Sequence, residues 1–162
     1  MNKILLLICL VAGIGLAKAQ DEASFTDEEL TKYATVMVWA QMEKEQMTET
    51  YNDWINNDET LEAARFVKIK SANGDSLKLQ EIKVTDEEIV AFEQIQVNYD
   101  SMTASFKEVY VGKIKEDIGA GLYNRLKKAM RGDADLKARY QAVYDGLMNE
   151  QSATEEEDES EE

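Results

Sequence analysis

Carboxylates are the reactive groups this chain has in abundance. It carries 33 Asp and Glu against 18 Lys and Arg, one Cys and no His. The acids cluster. "TDEE" occurs at 26–29 and again at 85–88, "GDAD" spans 132–135, and the closing "EEEDESEE" holds seven acids in eight residues. Paired carboxylates can do general acid–base work, as in glycoside hydrolysis. Acids offered from several turns of a loop can hold Ca²⁺. Without His, no Ser-His-Asp or Cys-His relay can form, nor a His-containing di-iron site. Conventional zinc and haem ligation are excluded for the same reason.

The spacing then separates these chemistries from plain helix punctuation. In both "TDEE" copies the three acids fall within one helical turn behind a threonine. Thr followed three residues later by Glu is a capping box, Thr26 with Glu29 and Thr85 with Glu88. An apolar residue stands on each side, Phe25 with Leu30 and Val84 with Ile89, which is a hydrophobic staple. Acids in a first turn also suit the helix dipole. The expectation is therefore two helix starts, not two metal sites. "GDAD" lacks the remaining spaced oxygen ligands of a Ca²⁺ loop and reads as a cap at Asp133. "GAG" at 119–121 has no preceding strand and is no phosphate loop. "RGD" at 131–133 matches an adhesion tripeptide but sits at a helix junction. With so many acids almost any carboxylate pair can be drawn, so no residue is assigned a catalytic, cofactor-binding or metal-binding role.

Helices are the elements that must position all of this. The chain has no Pro, and apolar residues recur at three and four. From Leu30 a seam runs through Tyr33, Met37, Ala40, Met47, Tyr51 and Trp54, with Lys44 at the skipped position. "VMVW" (36–39) is apolar nearly all round, which predicts burial on two sides. Asn57 or Asp58 caps a segment "ETLEAARFVKIKSA", ended by Asn73-Gly74. Residues 65–82 also alternate around that Asn-Gly and have a hairpin reading; the lead-in "LEAAR" favours helix. From Thr85 the second long helix shows Phe92, Ile95, Tyr99, Met102, Phe106 and Val109 in steps of 3, 4, 3, 4 and 3, and should continue to Ile118. Two shorter helices follow, "LYNRLKKAM" and, capped by Asp133, "ADLKARYQAVYDGL". The prediction is an all-α antiparallel helical bundle with two long and two or three shorter helices over 20–149. Periodicity stops at Asn149, so 150–162 is expected to be a disordered acidic tail.

The first segment, "MNKILLLICLVAGIGLAKAQ", has a basic start, an apolar run of 13 residues and small residues at Ala17 and Ala19. This is the pattern of a secretory signal peptide over 1–19, cleaved between Ala19 and Gln20. The run is shorter than the ~20 residues a membrane span needs, so no stable anchor is expected after cleavage. Ile8 before Cys9 argues against lipidation, and cleavage would remove that Cys. The expected location is the periplasm or the extracellular space. The formal net charge of −15 becomes more negative once Lys3 and Lys18 leave. Such a chain repels nucleic acid and anionic membranes.

Tyr123, Asn124, Leu126, Asp133 and Leu136, together with the acidic D-E-E-L and D-E-E-I helix starts, resemble a family of small exported bacterial proteins that carry a domain of unknown function. The family pattern is a C-terminal Tyr-Asn-x-Ile/Leu followed by an Asp-x-x-Leu restart. That family often has Pro where this chain has Ala134. The resemblance covers most of 25–147. It implies export and an all-helical domain, and it brings no catalytic residues.

Function is less legible. Trp39 lies off the seam of its helix beside Val38 and Met42. Either another helix covers it, the favoured reading, or the three residues form an apolar patch for a partner. The leading expectation is a non-enzymatic envelope protein, adaptor- or chaperone-like, that binds another envelope protein through such a face and needs no cofactor. The alternatives are a carboxylate-based hydrolase and a low-affinity buffer of divalent cations. Oligomeric state is not legible in the sequence.

Overall fold

Thr26 and Thr85 open their helices as their neighbours dictate. In the computed structural model, which describes residues 24–158 with side chains through 151, both capping boxes close. The Thr26 and Thr85 hydroxyls accept from the backbone N–H of Glu29 and Glu88, at 3.1 and 3.2 Å. The two glutamates accept in return from the threonine N–H groups, at 3.0 and 2.9 Å. These starts launch α1 (Asp27–Asn56) and α4 (Asp86–Lys113). Between them lie α2 (Ala63–Ala72) and α3 (Ser76–Glu81); after them come α5 (Ala120–Ala129) and α6 (Ala134–Asp158). Among the described residues there are no strands, and the protein is an all-helical bundle. None of these helices is long and apolar enough to cross a membrane.

Within residues 65–82 α2 and α3 lie on either side of Asn73-Gly74, so the hairpin reading falls. Asn73 takes the left-handed conformation (φ 51°) and Gly74 follows at φ 74°, which ends α2 and turns the chain into α3. Asp58 does not cap α2. Its carboxylate instead accepts from the N–H groups of Thr60 and Leu61 in a turn that precedes the helix, and this seats Leu61 in the core. Lys83 also takes positive φ (52°) where a Gly is usual.

α4 leaves its last turn as a π-helix, Ile114–Ile118, and Gly119 at φ 84° stops it. Asp133 caps α6 by accepting from Leu136 N–H at 2.8 Å. α6 runs on to Asp158, so the backbone of 150–158 is helical where the lost periodicity predicts disorder. Glu and Ala are strong helix formers, and no Gly or Pro after Gly146 interrupts them. The signal peptide and its Ala19–Gln20 cleavage point lie outside the described residues.

α1 is the central element; both α4 and α6 pack on it. Tyr51 meets Tyr99, Trp39 meets Phe106 and Met37 meets Tyr110, so α4 runs antiparallel to α1. Tyr33 meets Tyr140 near the start of both helices, and Gln151 lies beside Gln46 and Glu49 further along. α6 therefore runs in the same sense as α1. The core is split between the two ends of this rod. At one end Leu30, Tyr33 and Val36 pack with Ile118, Leu126 and Leu136. At the other Leu61, Phe66, Ile69 and Ile95 pack with Trp54 and Phe92. Each fully buried side chain, such as Leu30 or Phe66, contributes about 1.5–3 kcal/mol.

Candidate partner-binding groove

Between these two cores the middle of α1 meets the second half of α4, and here apolar side chains are not fully covered. The patch anticipated at Val38, Trp39 and Met42 is divided by the fold. Val38 is 1% exposed and cannot meet a partner: "VMVW" is buried on two sides because α1 is flanked by two helices. Trp39 and Met42 are half-buried on the remaining side. The Trp39 ring stacks on Phe106 with centroids 5.8 Å apart and planes 17° from parallel. Phe106 in turn stacks on Tyr110 at 5.7 Å, one helical turn on. The Lys113 ammonium sits 4.9 Å from the Trp39 ring centroid, a cation–π contact of about 0.5–1 kcal/mol at such a site.

Two grooves open on either side of Trp39 and share Glu43. One, of about 540 Å³, has an apolar floor made by Met47, Met102, Phe106 and Val109, and Lys113 at one end. Val109 ends the regular seam of α4, yet it is 48% exposed. The other groove, of about 420 Å³, is walled by Met42, Gln46, Glu45 and Glu49 of α1 and reaches Gln151 of α6. Glu45 is held by a 2.6 Å hydrogen bond from Gln41 Nε2. No Lys or Arg is among the residues that line this second groove.

Ionisation elsewhere follows packing. Burial pushes the Tyr33, Tyr140 and Tyr144 phenols up, and burial together with the Tyr123 hydroxyl 3.4 Å away does the same to Tyr110. These phenols stay protonated at neutral pH and are not bases. Glu28 is lowered by its 2.8 Å bond to Lys32. Glu88 falls to about 2, chiefly because Arg65 holds it with two 2.6 Å bonds and secondly through the Thr85 N–H. Among the described residues no three acids converge to hold a metal ion. "GDAD" and "RGD" form the turn between α5 and α6, where Asp133 is occupied as a cap.

Met47, Met102, Phe106 and Val109 escape sequence reasoning as groove residues because they lie on the heptad seams and read as core. Lys44 is the one signal that pointed to them. A charged residue at a seam position marks where burial thins, and its ammonium lies 5.8 Å from the Phe106 ring. Of the residues that carried the resemblance, four serve the fold: Leu126 and Leu136 are buried, Tyr123 stacks on Tyr33 and Asp133 caps, while Asn124 is exposed. Compared with known proteins, the chain matches no family model, no curated protein and no solved structure.

Proposed function

We propose that this is an exported, non-enzymatic helical module that binds another envelope protein through the groove at Trp39. The observation that carries the proposal is the uncovered apolar floor formed by Met47, Met102, Phe106 and Val109 between α1 and α4. Helix grooves with such floors receive the apolar face of a partner segment. The apolar run and A-x-A pattern of residues 1–19 support export to the periplasm or beyond, as does the resemblance to small exported bacterial proteins.

The test is photo-crosslinking in the intact cell envelope from a reactive residue at position 105, where exposed Ser105 lines this groove. A discrete crosslinked protein is expected, and it should disappear in Val109→Glu and in Trp39→Asp. Val109 is exposed, so its variant should fold even where Trp39→Asp does not. Undiminished crosslinking in folded Val109→Glu would remove the groove as the binding site.

A further inference from the structure

The outer face of α4 carries a second apolar stripe, apart from the seam it turns towards α1. Val90, Val97, Ala104 and Val111 follow one another at seven residues and so share one side of the helix. The three valines are 39–66% exposed, and Ala104 is exposed among them. Phe106 stands nine residues, two and a half turns, from Val97, so the stripe faces away from the groove. Charge is divided along the same helix. Residues 86–100 hold five acids and no base, whereas residues 101–115 hold three lysines and one Glu. Such a face complements a copy of itself only when the copy runs the other way. We infer that α4 pairs with α4 of a second copy of this chain, antiparallel about a two-fold axis between Asp100 and Ser101. That axis sets Val97 against Ala104 and Val90 against Val111 of the other copy, since the members of each pair lie equally far from it. Glu93 and Lys107 are two heptads apart on one flank of the stripe, and the two-fold axis brings like flanks together. Lys107 then stands within one residue of the level of Glu93 in the other copy, and the contact occurs twice. Lys115 comes level with Asp86. Glu108 also comes level with Glu93, but from the opposite flank. Asp86, Glu93, Lys107 and Lys115 are exposed, and no ion pair among the described residues includes them. A parallel pair would set Lys107 beside Lys107 and Glu93 beside Glu93, which is repulsive. The net charge of −15 opposes association, and one helix per copy makes a small interface, of the class below about 1,200 Å². The dimer is therefore weak and depends on this local match. It leaves the groove open and does not rest on the groove's function.

Sedimentation equilibrium of the chain, from micromolar to millimolar concentration, tests the pairing. A monomer–dimer equilibrium is expected. Val97→Arg, at an exposed position, should weaken it about tenfold or more while leaving the helical circular dichroism unchanged. Glu93→Lys and Lys107→Glu should each weaken self-association by a similar factor, because each sets like charges together. An equimolar mixture of these two variants should regain the wild-type affinity, since in the mixed dimer every Lys again meets a Glu. Disulfide trapping checks the direction, in a background where Cys9, the chain's single cysteine, is Ser. Ser101→Cys lies beside the axis and should link two copies. Gln94→Cys should not, because the two copies of position 94 are about 20 Å apart along the helices. A chain that stays monomeric throughout would overturn the inference. So would a mixture as weak as its components, or equal trapping from positions 94 and 101. Crosslinking from position 105 should be unchanged in Val97→Arg, so the groove can fail without the dimer and the dimer without the groove.

Discussion

The two "TDEE" helix starts are locally the same and are used differently. At 26–29, Glu29 receives Arg125 at 3.4 Å and Asp27 receives Arg139, with Arg125, Arg139 and Asp27 exposed and Glu29 half-buried. At 85–88, Glu88 takes both nitrogens of the Arg65 fork, and their side chains are only 14% and 24% exposed. Arg65 also donates to the carbonyls of Ile82 and Lys83, at 2.9 and 3.4 Å. It thereby ties α2, the end of α3 and the start of α4 together. The apolar staples show the reverse. Phe25 and Leu30 are buried in the first start, whereas Val84 and Ile89 remain half-exposed in the second. The same four residues thus anchor one helix by apolar burial and the other by a charged clamp.

The largest test of that contrast is in the staples. Leu30→Ala should cost about 3 kcal/mol, within the range for a fully buried Leu. Ile89→Ala should cost clearly less, because Ile89 is already partly in water. Equal losses in denaturant unfolding would break the distinction.

Next come the box glutamates. Gln also closes a capping box, so Glu→Gln removes charge while leaving the cap. Glu88→Gln should cost about 2 kcal/mol, as for hydrogen bonds to a charged group. Glu29→Gln should stay below about 0.5 kcal/mol, as for exposed pairs. The Glu88 difference should also depend on pH. Its folded pKa of about 2 lies below the ordinary 4.5, so the stabilisation is complete above 4.5. It is lost as pH falls from 4.5 towards 2, and wild type and Glu88→Gln should converge over that window. A gap that persists at pH 2 would mean packing, not charge, holds this start.

The smallest effect is salt. Asp27→Asn, which leaves the Arg139 bond to the Phe25 carbonyl in place, should lose less than about 1 kcal/mol, and most of that loss should vanish in 1 M salt, where screening acts within about 3 Å. The Arg65–Glu88 pair, being largely covered, should keep most of its effect. Similar screening of both would place them in the same class.

Much of the fold was legible because helix caps are local. Thr26, Thr85, Asp133 and the Asn73-Gly74 stop need only neighbouring residues to act, and each sits where the sequence predicts. The heptad steps of α4 likewise specify which side faces inward. Burial was less legible. Val109 and Met102 obey the seam as well as Ile95 does, yet Ile95 is buried and Val109 is not. Periodicity reports a helix's own face, not whether another helix arrives to cover it. The extension of α6 to Asp158 was missed for the related reason that amphipathic pattern had ended while helix propensity had not.

Sequence alone determined the helical class, where α1, α4 and α6 begin, and the strong net negative charge. All three depend on contacts within a turn or on composition. Only the tertiary structure decided that α4 and α6 flank α1. It also decided that Val38 is buried while Trp39 stands at the mouth of two grooves, and that Arg65 rather than solvent meets the second "TDEE". Those outcomes turn on which helices meet across long separations in the chain, and no local pattern encodes that.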